Sequence, residues 1–482
     1  MARRRHCMIE ATLTFFLVVW VLGLSIWIIL ERRSPVATAG WISLLTFLPY
    51  IGIPVYLVLG PRKWNRRRRV VVRARAAMGG RLSGLVERAS GEVMAALPEE
   101  ARRLVSISSG LKMAAGARAR EIEIFHEGRD FYTSLAAAIE GARHHVHLEF
   151  YIWEPGRIGT RLRDLLVEKA RQGIEVRLLV DGVGSSSFGR AFAKPLREAG
   201  GEVVCFNQPR WSRIRSQRAN FRTHRKIVVI DGVTAFTGGM NISDDHSSEF
   251  VGDLAQRDTH VRIVGMPASL LQLVFLENWY FANGVGPNEA DYLCLDVDPG
   301  QRLVQIAASG PDTEYAPIHK LFLEAVHGAR ERLYVSSPYF LPDDALVAAL
   351  QSAALRGVDV RVLVPSRGNY RIVRLASRTY YEELLGCGVK LYEYQPRMLH
   401  SKTLVADEGV AILGSANLDN RSFHLNFEVV AVIYDGACAR ELATRFETDL
   451  CQARVVERGE DASQSLPVRF AHSLARLVAP VL

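Results

Sequence analysis

His224-Arg-Lys-Ile-Val-Val-Ile-Asp231, continued by Gly238-Gly239-Met-Asn241, is written a second time as His400-Ser-Lys-Thr-Leu-Val-Ala-Asp407, continued by Gly414-Ser415-Ala-Asn417. Both copies obey H-x-K-x4-D-x6-G-[GS]-x-N. Working outward, Gly173-Ile-Glu-Val-Arg-Leu-Leu-Val180 is echoed by Gly357-Val-Asp-Val-Arg-Val-Leu-Val364, and Ala199-Gly-Gly-Glu-Val203 by Gly386-Cys-Gly-Val-Lys390. The offsets of 176, 184 and 187 residues are nearly constant, which points to a duplicated unit. The shortest offset implies about eleven additional residues ahead of His224, where residues 208–223 lie. Around the motifs, short β-branched runs (121–125, 145–151, 175–180) alternate with helical stretches (131–143, 160–172), an α/β pattern of helices on a sheet. The repeat is too long for a solenoid. The expectation is two lobes, with one site each or one shared.

The repeated polar set suits phosphate chemistry. A His and a Lys two residues apart, just ahead of an apolar run, project from one face of an extended segment at a strand's edge. Lys supplies a point charge and Asn an amide donor for phosphate oxygens, and Ser415 adds a hydroxyl. Imidazole near neutrality can act as nucleophile or proton donor. Two complete copies in register argue against two incidental core histidines. A metal site is disfavoured too: no H-x3-H, H-E-x-x-H or carboxylate cluster accompanies the motif, and a Lys beside each His repels a cation.

At these residues the chain resembles the phospholipase D superfamily with its doubled "HKD" motif. The resemblance implies two α/β sandwich lobes sharing one active site, a phosphohistidine intermediate and no cofactor or metal. It implies that His224, Lys226, His400 and Lys402 are catalytic, with one His attacking phosphorus and the other moving the proton. Asp231 and Asp407 belong to the motif but act structurally, while Asn241, Ser415 and Asn417 bind phosphate. Glu428 is the expected His-orienting acid of the second half and Asp258 that of the first. Gly239, standing where the second half has Ser415, makes the two sides unequal. Residues 48–60, Ser337-Pro-Tyr-Phe-Leu-Pro-Asp343 and the apolar tail at 473–482 resemble bacterial cardiolipin synthases in particular. That implies transfer of a phosphatidyl group between two phosphatidylglycerol molecules, giving cardiolipin and glycerol. A membrane-tethered phospholipase D or other phosphodiesterase with water as acceptor is the alternative.

Charge and hydropathy place the chemistry at a membrane. Residues 1–80 carry 13 Lys and Arg against Glu10 and Glu31, whereas the remainder nets −2, so the overall +9 does not describe a nucleic-acid-binding domain. Residues 11–30 and 36–59 are uncharged and long enough to cross ~30 Å of hydrocarbon, which predicts a two-helix membrane hairpin over residues 1–60, its second helix kinked at Pro49 and Pro54. A signal peptide ending near Ala37-Thr38-Ala39 is the rival reading of the first span. Arg and Lys flank the pair on its outer ends, which puts the catalytic part in the cytoplasm of a bacterial cell, on the inner membrane. A basic, partly helical linker at 61–119, a first lobe at 120–300 and a second at 301–482 complete the expected organisation. The scattered cysteines fit reduced thiols. The Arg-rich stretch 208–223 fits either anionic headgroups or solvent, and the tail from 467 either a membrane surface or the domain.

Overall fold

A computed structural model describes residues 2–30, 35–59, 99–111, 116–207, 222–284, 292–293, 300–313, 315–368, 370–460 and 465–478. Most of the Arg-rich stretch, 208–221, lies outside the described residues. Two compact units are distinguished. The first contains helices Ala2–Leu30, Pro35–Phe47 and Pro49–Leu59. The second expected span is therefore divided, and three helices stand where two were expected. The division falls before Pro49, which has no N–H to give. Beyond it Ile51 N–H reaches back only three residues, to Leu48 O at 3.1 Å, before Gly52 resumes the regular spacing to the same oxygen at 2.7 Å. Among the described residues no helix is long and apolar enough to cross a membrane.

The second unit is built on one sheet. Its first-lobe strands are β1 (Ala117–Phe125), β2 (His145–Phe150), β3 (Glu175–Asp181), β4 (Glu202–Phe206), β5 (Ile227–Ile230), β6 (Thr234–Gly238) and β7 (His260–Gly265). The second lobe adds β8 (Arg302–Ser309), β9 (Arg332–Ser336), β11 (Asp359–Pro365), β12 (Lys390–Tyr394), β13 (Thr403–Ala406), β14 (Val410–Gly414), β16 (Glu428–Tyr434) and β17 (Ala453–Val455) to it, while β10 (Phe340–Leu341) and β15 (Leu418–Asp419) pair in parallel apart from this sheet. The first lobe runs 1-7-6-5-2-3-4 across the sheet and the second 8-16-14-13-9-11-12, the same order strand for strand. The copies are joined where β1 pairs antiparallel with β8, Arg118 opposite Leu303. The duplication read from the motifs is thus a duplicated topology.

Period-two alternation builds the layers. Along β5, Ile227 and Val229 enter a core shared by both lobes, whereas Val228 and Ile230 enter the first lobe's own core. In β13, Val405 faces the shared core, and Leu404 and Ala406 the second lobe's. Helices Met266–Asn283 and Gly436–Leu450 cover the shared face, supplying Phe275, Trp279 and Phe446. Of the linker, helix Glu99–Gly110 buries Leu104 in the second lobe's core.

Asp231 and Asp407 close this framework. Each follows its strand in the left-handed region, at φ 54° and 53°, where Asp is better tolerated than most residues. Asp231 accepts the N–H groups of Arg143, His144 and His145 at 2.8–3.0 Å, pinning the entry to β2. Asp407 does the same for Arg330, Glu331 and Arg332 at the entry to β9. Asp231→Ala orphans three donors and is expected to cost about 1–3 kcal/mol, read as a lower unfolding midpoint. Asp231→Asn keeps the left-handed turn and one acceptor and should lose less; equal loss in both would remove the carboxylate from the explanation.

Candidate active site

His224 and Lys226 lead into β5, and His400 and Lys402 lead into β13, at equivalent places in the two lobes. The apolar strands are wholly buried, and this holds the polar residues at their mouths. Backbone contacts then tie each histidine segment to the opposite lobe. Thr223 bridges Phe427 and Arg257 bridges Leu399, both in parallel. His224 N–H donates to Phe427 O at 2.9 Å, and His400 N–H to Arg257 O at 2.7 Å.

The consequence is a crossed pairing. His224 Nδ1 lies 3.0 Å from Glu428 Oε2, and His400 Nδ1 lies 2.6 Å from Asp258 Oδ2. The acid of each half therefore serves the histidine of the other half, not its own. Both carboxylates are fully buried, and both rings are nearly so. Since Nδ1 meets the carboxylate, Nε2 is the nitrogen each ring has for chemistry.

Burial governs the charges. It pushes both imidazoles below their usual value, His400 to about 3 with help from the Lys402 charge, and His224 against the pull of Glu428. A bound phosphodiester anion would favour the protonated form of either ring. Burial also raises the two carboxyls, but the charges facing them outweigh it. Lys402 and His400 hold Asp258, and His224 and Lys226 hold Glu428, below the usual carboxylate range. Burial lowers the ammonium groups of Lys226 and Lys402 to about 7 and about 8. Each lysine donates to the carbonyl of its own histidine, Lys226 at 2.7 Å.

The expected phosphate ligands divide. Asn241 Oδ1 accepts Ile152 N–H at 3.2 Å, so what this side chain can give a phosphate is its NH2. Asn417 hydrogen-bonds Asp419 and leaves its buried Oδ1 without a partner. Ser415 lies against an acid. Its hydroxyl donates to Glu428 Oε2 and accepts Val429 N–H at 3.0 Å, so it steadies the acid. Asn426 Nδ2 holds the other oxygen of Glu428 at 3.1 Å. Across the site, a Cβ on Gly239 would lie 2.1 Å from Asp258 Oδ1. The Gly239–Ser415 difference therefore follows from the acids: the first lobe's carboxylate occupies the space that a side chain would need.

Among the described residues, His246, Asp258 and His400 are the one group of three that brings metal-ligand atoms within 4.8 Å of one another. The donor set does not suit a cation. Asp258 already faces the charge of Lys402 and the hydrogen bond of His400.

A family model described as "Cardiolipin synthase, PLD-like domain" matches residues 135–264 and 322–450, one stretch in each lobe. A cardiolipin synthase of Geobacillus kaustophilus is 38% identical over 468 residues, covering 96% of this chain and 92% of its own length. The chain belongs to the cardiolipin synthase family. Cardiolipin synthase 1 of Bacillus anthracis is 32% identical over 482 residues, covering 97% of this chain and 94% of its own length. The phosphatidylserine synthase of Haemophilus influenzae shares the fold, with a TM-score of 0.60 at 15% identity over 79% of this chain and all of its own.

In this member of the cardiolipin synthase family, two site neighbours escaped the motif. His246 Nδ1 lies 3.9 Å from Asp258 Oδ2, and its ring centroid is 5.5 Å from that of His400. The second lobe has Ser422 at the equivalent spacing, so the repeat gave no signal. Tyr151 sets its ring edge-on to His224, 4.8 Å between centroids, with Lys226 Nζ 5.4 Å from the same ring. Only its place at the end of β2 could have drawn attention to it.

Proposed function

We propose that the chain joins two phosphatidylglycerol molecules into cardiolipin and glycerol at this single site, through a phosphohistidine. The observation that carries the reading is the crossed pair of His–carboxylate contacts beside two buried lysines, on a chain of this family. With Nδ1 hydrogen-bonded to Glu428, His224 Nε2 attacks the donor phosphorus. The bond from phosphorus to the glycerol headgroup oxygen breaks, and His400 protonates that oxygen. The hydroxyl of the second phosphatidylglycerol then gives its proton to His400 and attacks phosphorus, and the P–N bond breaks. Lys226, Lys402 and the amide of Asn241 hold the phosphate oxygens. We place the catalytic unit on the cytoplasmic face of a bacterial inner membrane, anchored by the N-terminal helices, from the Arg asymmetry around them.

Purified full-length protein incubated with phosphatidylglycerol is expected to give cardiolipin and glycerol in equal amounts, resolved by lipid mass. Activity should survive a chelator, because Lys226 and Lys402 supply the positive charge. Phosphatidic acid as the main product would move the assignment to the hydrolytic alternative. Loss of activity on chelation, restored by a divalent ion, would overturn the lysine-based scheme.

A further inference from the structure

Helix Leu466–Val478 is mounted with its large apolar residues outward. Leu466, Phe470, Leu474 and Leu477 follow one another at intervals of four, four and three, which stacks them into one stripe. They are 79%, 67%, 54% and 76% exposed. The packed side is made of small or polar residues: Ala475 joins the second lobe's core, and His472 is buried beside it. The sequence left open whether this helix packs on the domain through its apolar face, and it does not. Helix Arg371–Arg378 lies against it and continues the surface with exposed Ile372, while Tyr370 is exposed at its N-cap. An apolar patch of this kind marks an interaction site.

Charge selects the occupant. Residues 366–378 and 465–478 contain no Asp or Glu, and Arg367, Arg371 and Arg469 are exposed around the apolar stripe. A second copy of the same face would bring like charges together, whereas an anionic lipid surface answers both the arginines and the leucines. The surface also leads to the site. Tyr370 is 6.3 Å from Tyr339 between ring centroids. Tyr370, Asp419 and Tyr151 are the ionisable neighbours of the buried Tyr339 hydroxyl, and Tyr151 is the ring that meets His224. We propose that helices Arg371–Arg378 and Leu466–Val478 form an interfacial platform that seats an anionic bilayer beside the entrance to the catalytic site. This rests on the reading that the substrate is a bilayer phospholipid. The platform lets a headgroup reach His224 along the tyrosines while its acyl chains stay in the bilayer.

Two measurements on the full chain test the platform. In vesicles of phosphatidylglycerol with brominated acyl chains, Phe470→Trp should show tryptophan quenching beyond that of the parent protein. The extra quenching should shrink in brominated phosphatidylcholine. Independently, the combined substitution of Leu466, Phe470, Leu474 and Leu477 by Ser should lower turnover of vesicle phosphatidylglycerol about tenfold or more. Turnover of a short-chain, monomeric phosphatidylglycerol should stay within about twofold, since the platform does not touch the reacting atoms. Absence of extra quenching would overturn the proposal. So would a concentration-dependent blue shift of the introduced tryptophan's fluorescence without quenching, which marks a second copy on this face. Equal loss on both substrates would reduce the helix to a support of the fold. If the parent makes no cardiolipin from either substrate, the proposed function fails, and quenching still judges the platform.

Discussion

Cardiolipin formation is expected to fall about a thousandfold or more when either His224 or His400 is replaced by Asn. The Asn amide lone pair is delocalised into its carbonyl and cannot attack phosphorus, and its N–H protons are too weakly acidic to pass to a leaving alkoxide near neutral pH. The two losses should not add, because the rings act in sequence on one phosphorus. The order of roles is read by trapping. With phosphatidylglycerol labelled in its phosphate and an alkaline quench, His400→Asn should leave a weakly formed, acid-labile adduct on His224. His224→Asn should leave none. Label on His400 would reverse the order. Label on neither ring, with turnover intact in the parent, would argue for direct transfer.

A change that touches neither histidine should do almost as much damage. Gly239→Ala places a Cβ 2.1 Å from Asp258 Oδ1 and 2.7 Å from its Cγ. The carboxylate has nowhere to retreat. Oδ1 accepts its neighbour Thr259 N–H at 2.7 Å, Oδ2 holds His400, and the Asp258 carbonyl accepts from Arg257, itself fixed to Asp449 at 2.9 Å. The methyl group must therefore push Asp258 off His400, and the ring loses the contact that sets its tautomer and orientation. A fall in kcat of about a hundredfold or more is expected. The companion Ser415→Ala removes one donor from Glu428, which keeps His224 and Asn426 as partners, so kcat should fall only about three- to tenfold. Near-normal kcat for Gly239→Ala, with the unfolding midpoint unchanged, would show that Asp258 does not position His400.

How far the sequence carries this picture depends on the kind of contact. The repeat was legible because β5 and β13 are buried on both sides and must be apolar, with the same polar residues at their mouths. The motif's likeness to its superfamily implies a structural part for Asp231 and Asp407, and each accepts three backbone N–H groups. The crossing of the acids was not legible. Asp258 stands 17 residues after Asn241 and Glu428 11 after Asn417, and neither spacing says which lobe's histidine comes within 3 Å. That is decided by the bridges of 223 to 427 and 257 to 399, contacts distant in sequence with no local pattern. A hydroxyl beside a glycine suits a phosphate donor at Ser415; its hydrogen bond to Glu428 is a tertiary contact that no local spacing announces. The second apolar run gives one helix by length with kinks expected at Pro49 and Pro54; Pro49 divides it outright, whereas Pro54 lies inside the helix Pro49–Leu59. The helix at 466–478 is amphipathic in sequence, but only packing shows that its leucines face away from the core.

The crossed acids also bear on inheritance. Each half of the reaction centre is a joint product, with its ring from one copy of the repeat and its acid from the other. After the ancestral duplication, neither copy could become a spare. A loss in one copy's acid is felt at the other's imidazole, so drift in either is checked by both. Exchanging a single lobe with that of a relative would therefore break two pairings at once, unless the incoming lobe carries the matching lengths of acid and neighbour, Asp with Gly or Glu with Ser. The unit of exchange between relatives is the whole duplicated pair.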